Sequence, residues 1–358
     1  MQELRHLSLL YDSIIKPALF RIDPESAHEL VAGTVSFVTH SPIGAAVVRS
    51  VLGYSSTRLA VTLAGIDFEN PLGMAAGFDK TGRLYPFLSC AGFGSVECGT
   101  FTRHAQNGNP KPRLFRFPEQ QALVNRMGFN NPGAEEAARI IATQKHGAVR
   151  GINLGKSKIT DLDGAAEDYL YSLRALVGFA DYVAINVSSP NTPDLRKLQE
   201  KKRLSSLLRA LRKECAPPLI LKIAPDLTTE EIEDVLDASS GIIDALILCN
   251  TTIDKSSVPG AESLEGGLSG KPLAARSLAL LRQVRAMTGG QLPLISAGGI
   301  DSAESAIERI RAGASLIQIY TSYIYGGPDL PRRILSGIDR YLEKNSMRMP
   351  DLIGADAR

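Results

Sequence analysis

The chain is expected to fold as an α/β protein, a closed (β/α)8 barrel of the TIM type preceded by a helical extension. Two observations carry this expectation. Eight short apolar or β-branched runs recur along the chain, at 72–76, 95–98, 150–154, 182–185, 219–223, 245–249, 293–297 and 316–320. Helix-patterned stretches at 203–213, 229–239, 274–287 and 302–312 fall between them. Near-continuous apolar strands separated by helices pair in parallel with both faces covered, and eight of them close a barrel. Such barrels exceed ~250 residues as one domain, so 358 residues do not demand two.

The elements before the barrel differ in kind. Residues 7–20 are strongly apolar, with polar interruptions at helical spacing. Asp23-Pro24-Glu25 supplies an N-cap and a proline at the first helical position. The helix that follows, through His28 to Val38, carries an apolar stripe, and 43–52 continues the pattern before Gly53. Helices this apolar must bury a face. They pack on the main domain, or they rest on a membrane surface or cover a lipid-like ligand. Their few cations, Arg5, Lys16, Arg21 and Arg49, leave membrane attachment to apolar contact. A lead-in at 61–68 opens the barrel, and an insert at 103–143, with extended segments at 113–117 and 122–126, separates strands two and three. The expected organisation is a helical module at 1–57, the barrel at 58–345 and a tail at 346–358.

Composition narrows the function classes. With 40 basic and 38 acidic side chains, net charge is +2, and nothing implies nucleic acid. Cys90, Cys98, Cys215 and Cys249 form no C-x-x-C pair and read as reduced core thiols. The five histidines are dispersed, so no metal site is expected. No uninterrupted apolar stretch reaches the ~18 residues of a membrane-spanning helix. The first residues lack a signal peptide's apolar core, so a cytoplasmic location is expected.

The strand ends carry the chemistry. Ala76-Gly77-Phe78-Asp79-Lys80, Gly99-Thr100, Asn153, Asn186, Lys222, Asn250-Thr251, Gly298-Gly299 and Tyr320-Thr321 converge on the C-terminal mouth of one barrel. That makes a pocket of amides, hydroxyls and two lysines. Gly298-Gly299 before a helix reads either as a turn or as a phosphate cradle after strand seven. Lys222 stands in the apolar strand 219–223, where a lysine needs an anionic partner. A flavin suits it, because the reduced ring gathers negative charge. The loop Asn186-Val-Ser-Ser-Pro-Asn-Thr-Pro193 contains no His, Cys, Asp or Glu, so a base within it would have to be a serine.

That loop, together with Asn125-Arg-Met-Gly-Phe-Asn-Asn131, Gly267-Leu-Ser-Gly270 and Ala76-Gly-Phe-Asp-Lys80, resembles dihydroorotate dehydrogenase over essentially the whole chain. The N-terminal helices, and serine where other classes have cysteine, resemble the class 2, quinone-dependent, membrane-associated form. The resemblance implies FMN-dependent oxidation of (S)-dihydroorotate to orotate in pyrimidine biosynthesis, with a membrane quinone as acceptor. It further implies a monomer held peripherally on the cytoplasmic side of the cell membrane. Ser189 is implied as the base. Lys80, Asn125, Arg126, Met127, Gly128, Phe129, Asn186, Asn191, Asn250 and Thr251 would hold the substrate. FMN would be held by Ala76, Gly77, Phe78, Asp79, Lys80, Thr100, Asn153, Asn186, Lys222, Cys249, Gly270, Gly299, Tyr320 and Thr321. His28 and Arg116 would lie near the quinone tunnel. Thr192 and the Phe129 ring suit relay and packing roles beside Ser189.

The chain departs from the family pattern at Cys249, where Thr is usual, and at Asp194 and Ser322, where Gly is common. Two other readings stay open from the residues alone: a soluble flavin barrel acting on another reduced pyrimidine, and a non-catalytic flavin-binding barrel whose helices dock to a membrane or partner.

Overall fold

In the computed structural model, residues 9–357 are described. Arg5 and the first two residues of the expected 7–20 helix lie outside them. All eight expected runs are strands of one closed barrel: Leu72–Asp79, Ser95–Phe101, Val149–Leu154, Tyr182–Asn186, Leu219–Ile223, Ala245–Leu248, Leu294–Ala297 and Ala314–Ile319. Each pairs in parallel with its sequence neighbours, and the eighth closes on the first with Gln318 opposite Gly73. The strands are buried nearly throughout because helices cover their outer face.

Helix starts follow from local chemistry. Thr228 and Glu231 form a reciprocal capping box at Thr229–Ser239, and Ser302 with Ser305 forms one at Ala303–Arg311. The last long helix, Leu330–Lys344, buries Ile334, Leu335, Ile338 and Leu342 at helical spacing. Residues 346–357 do not trail away as a tail. Met349 and Leu352 are fully buried, and the Gly354 amide donates to Ile310 O at 3.0 Å.

The lead-in is an antiparallel hairpin, Val61–Leu63 with Ile66–Phe68. The insert forms Leu114–Phe117 and Ala122–Asn125, and a third strand, Gly267–Gly270, completes their antiparallel sheet. Sequence patterning did not suggest that third strand, which has no β-branched run. It becomes a strand through pairing with Ala122–Asn125. Gly267 has to be glycine, since an added Cβ would sit 2.0 Å from the Thr251 hydroxyl.

The N-terminal module comprises a π-helical turn at Tyr11–Ile15 and helices at Lys16–Phe20, Pro24–His40 and Pro42–Leu52. Asp23 caps Pro24–His40 by accepting from the Ser26 amide at 2.9 Å. The module has two unlike faces. One docks on the barrel and insert: Glu25 pairs with Arg113, the Tyr11 hydroxyl donates to Ile324 O at 2.6 Å, and Arg116 donates to Ile22 O at 2.9 Å. The other is bare. Of fourteen exposed large apolar residues among the described ones, twelve lie between Leu9 and Val51, with Phe37 at 84% and Ile43 at 79%. Among the described residues no single helix is long and apolar enough to cross a membrane, and Pro24–His40 and Pro42–Leu52 meet at 113°.

Asp194 explains one departure noted above. Its φ of 58° is left-handed, a conformation that glycine takes freely and Asp tolerates better than most residues. Asp194→Gly is expected to stay within about 0.5 kcal/mol of the parent, since relieved strain offsets the added unfolded-state freedom. Asp194→Val should cost about 1–2 kcal/mol. Urea denaturation of the two variants reads the ranking, and equal stabilities would sink it.

Candidate functional site

The C-terminal strand ends and the insert sheet enclose a cavity of about 710 Å³. From the barrel, Ala76, Gly77, Lys80, Thr100, Asn186, Lys222, Asn250, Thr251, Gly299 and Tyr320 reach its lining. The insert side supplies Asn125, Met127, Gly128, Phe129 and Gly270, while Ser189 and Asn191 come from the loop after strand four. Cys249 and Thr321 line it as well, and burial pushes the Cys249 thiol up to about 12.

Amides tie the walls together. Asn186 Nδ2 donates to Thr100 Oγ1 at 3.1 Å and Asn153 Oδ1 at 3.3 Å. Asn250 Nδ2 donates to Ser188 Oγ at 2.9 Å, and Ser188 donates to Asn186 Oδ1 at 3.1 Å. Ser188 is thus fully buried as a strut, whereas Ser189 faces the cavity. Asn191 Nδ2 reaches Asn125 O at 3.0 Å and Oδ1 at 3.2 Å, joining the loop to the insert. The Asn191 amide donates to Ser189 Oγ at 3.2 Å. Thr192 Oγ1 is buried with no partner among the described residues.

Lys222 has its anion, and the residue is one that sequence reasoning missed. Glu97 Oε1 lies 3.8 Å from Lys222 Nζ, and the carboxylate is completely buried. Asn153 Nδ2 at 2.7 Å, the Tyr182 hydroxyl at 3.1 Å and Gln318 Nε2 at 2.8 Å also donate to Glu97. The signal was available: a carboxylate in the otherwise apolar run 95–98 needs a cation as surely as Lys222 needs an anion.

Four expected contacts fall outside the cavity lining. Asp79 is buried behind it, where burial pushes its carboxyl up and Cys98 Sγ lies 3.8 Å away. The Phe78 ring turns to an aromatic cluster, edge-on to Tyr320 at 5.4 Å. Asn153 forms a second layer, holding Thr100 and Glu97 rather than reaching the cavity. Arg126 points outward, donating to Glu265 Oε2 at 2.8 Å and to Pro112 O, because its long guanidinium finds acceptors at the rim. His28 and Arg116 also stand off the lining. The His28 ring meets Phe78 at 5.1 Å, so a row of rings, His28–Phe78–Tyr320, runs from helix Pro24–His40 to the cavity. The Arg116 guanidinium lies 4.6 Å over Phe20.

Electrostatics make the docking of that helix acid-sensitive. Burial first, then the charge of Lys80, pull His28 down to about 4 from 6.5. Lys80 itself is drawn to about 8 by burial. Burial pushes Glu25 up, but hydrogen bonds and charge from Arg113 outweigh it and leave the carboxyl below its usual value. The His28 value is depressed relative to the unfolded chain, so the stability it contributes is complete above pH ~6.5 and is lost as pH falls toward ~4. The Glu25 contribution persists to lower pH and is lost only as pH falls below the ordinary glutamate value of 4.5. His28→Gln is expected to flatten the pH 4–6.5 slope of thermal stability. An unchanged slope would remove His28 from the account.

A (β/α)8 enzyme with its chemistry at the C-terminal mouth is the class these features define. A family model for dihydroorotate dehydrogenase matches residues 58–342. The chain is 47% identical to a Gloeobacter violaceus protein named dihydroorotate dehydrogenase (quinone), covering 93% of this chain and 95% of that one. It is 46% identical to a protein of the same name from Thermus thermophilus, with 91% and 95% covered. Crystal structures of the Eimeria tenella dihydroorotate dehydrogenase superpose with TM-scores of 0.84 in complex with ferulenol and 0.86 ligand-free. Identities are 35% and 36%; this chain is covered to 94% in both cases, and those chains to 96% and 100%. The chain belongs to the dihydroorotate dehydrogenase family.

Proposed function

We propose that this chain oxidises dihydroorotate to orotate with bound FMN and delivers the electrons to a membrane quinone, in pyrimidine biosynthesis. The observation that carries the reading is Ser189, buried at the cavity wall in a loop pinned by Asn191 to Asn125. A serine is a weak base in water and acts as one only in an enclosed site with a relay.

The cavity suits a flavin. Its volume lies within the ~300–1,000 Å³ of small-molecule sites. A Cβ added at Gly77 would meet only the Tyr320 ring, at 3.5 Å, so the floor there is open. Gln318 lines the cavity with a buried Oε1 that has no partner among the described residues. Gly299, Gly270, Tyr320 and Thr321 would hold the phosphate end, beside the helix that starts at Ala303. Ala76, Gly77, Lys80, Thr100, Asn186 and Lys222 would hold the ring, with Cys249 on the wall. When bound, flavin supplies the hydride acceptor and the route for two electrons to the quinone.

The chain's own residues do the rest. Asn125, Asn186, Asn191 and Asn250 offer donors and acceptors together, which the ring amides of dihydroorotate require. Ser189 removes the C5 proton as hydride leaves C6, and the buried Thr192 hydroxyl provides the relay. The bare apolar face of the N-terminal helices rests on the membrane, on its cytoplasmic side. Quinone approaches between those helices past His28 and Arg116. Anaerobic addition of dihydroorotate to the flavin-loaded protein is expected to bleach the flavin, and a short-chain quinone to restore its colour. A flavin that stays yellow with dihydroorotate would overturn the reading.

A further inference from the structure

One guanidinium joins the loops that carry the two sides of the substrate pocket. Arg196 lies in the 3-10 turn Leu195–Gln199, directly after the loop that bears Ser189. Its Nε donates to Ser188 O at 3.0 Å, and its Nη2 to Thr251 O at 3.2 Å. Its Nη1 donates to Asp226 Oδ2 at 3.0 Å. Asp226, just beyond strand five, also accepts from the Thr252 hydroxyl and the Ile253 amide, and Arg276 lies 3.4 Å away. Three strand-end loops, after strands four, five and six, therefore meet on Arg196 and Asp226.

The two carbonyls are not arbitrary ones. Ser188 O belongs to the peptide leading into Ser189, and Thr251 lines the opposite wall of the cavity. A planar fork holds both at a fixed separation while a third nitrogen is locked by a carboxylate. A lysine, with one point of charge, cannot span them. We propose that Arg196, oriented by Asp226, is a positioning residue that sets the spacing between Ser189 and the Asn250–Thr251 wall. This rests on the reading of Ser189 as the base. Arg196 acts through the backbone it holds and has no contact with the reacting atoms.

The test uses the full-length, FMN-loaded enzyme and the variants R196K and D226N. Misplacing a reacting group by about 1 Å costs ~10²-fold in rate. Single-turnover flavin reduction at saturating dihydroorotate is therefore expected to fall ~10²-fold in R196K and less in D226N. FMN occupancy and reoxidation by a short-chain quinone should stay within twofold of the parent. The isotope effect with C5-deuterated dihydroorotate should grow, because proton transfer becomes the slow step. Orotate affinity, measured by calorimetry, should weaken severalfold. The double variant should be no slower than R196K, since both changes cut the same link. Reduction within twofold of the parent in both single variants overturns the proposal. So does a parallel loss of reduction and reoxidation, which marks a general structural defect. A parent enzyme that dihydroorotate does not bleach fails at the earlier step, the proposed reaction, and a Ser189→Ala variant reduced at the parent's rate fails at the reading of Ser189 as the base.

Discussion

Ser189→Ala is expected to slow flavin reduction by dihydroorotate by about 10²–10⁴-fold while FMN stays bound, the range that removing a positioned base produces. The residue is only 6% exposed, and its hydroxyl oxygen already accepts from the Asn191 amide at 3.2 Å. That bond orients a lone pair and leaves the hydroxyl proton free for the relay. The buried Thr192 hydroxyl, three residues on and without a partner among the described residues, is the group proposed to take it onward. Substituting alanine leaves the amides that grip substrate untouched, so dihydroorotate affinity should change little. Anaerobic stopped-flow reduction measures the rate; a variant within threefold of the parent would show that Ser189 is not the base. Ser189→Cys supplies a more acidic group in the same loop. It should keep part of the rate and extend it to lower pH.

The second large effect is on stability. Lys222→Met removes the one cation paired with Glu97 among the described residues and strands a fully buried carboxylate, a change that typically costs about 3–5 kcal/mol. Asn153, Tyr182 and Gln318 continue to donate to Glu97, which places the expected loss toward the lower end of that range. Urea denaturation of the flavin-free protein separates this effect from cofactor binding. The pair variant Lys222→Met with Glu97→Gln should recover part of the loss, because no uncompensated charge remains. Additive losses in the pair variant would mean that the two groups do not act as an ion pair.

Lys222 and Glu97 also mark how far the sequence could be read. A lysine within 219–223 announced an anionic partner, for which a flavin was the expectation, yet a carboxylate beside it stands 125 residues earlier in a run that looked equally apolar. No local pattern connects them; the barrel register does. The same holds for Gly267–Gly270, which is a strand only because Ala122–Asn125 pairs with it. Arg126 shows the converse. It sits inside the Asn125–Asn131 motif, but a side chain that long follows its acceptors, and these lie at the rim. Asp79 and Phe78 likewise share a motif with Lys80 but stay off the cavity lining: Asp79 is buried behind it, and the Phe78 ring packs between His28 and Tyr320.

The sequence by itself determined the eight barrel strands, the Asp23 cap of the N-terminal helix, and a mouth lined with amides, a serine and two lysines. These are properties of periodicity and residue type, set by each segment's need to bury its apolar face and satisfy its backbone. Tertiary structure alone decided which members of each motif reach the cavity, which carboxylate neutralises Lys222, and which guanidinium holds Ser188 and Thr251 together. Those outcomes depend on distances between segments far apart in the chain. Only closure of the barrel sets such distances, because it fixes every strand against two others at once.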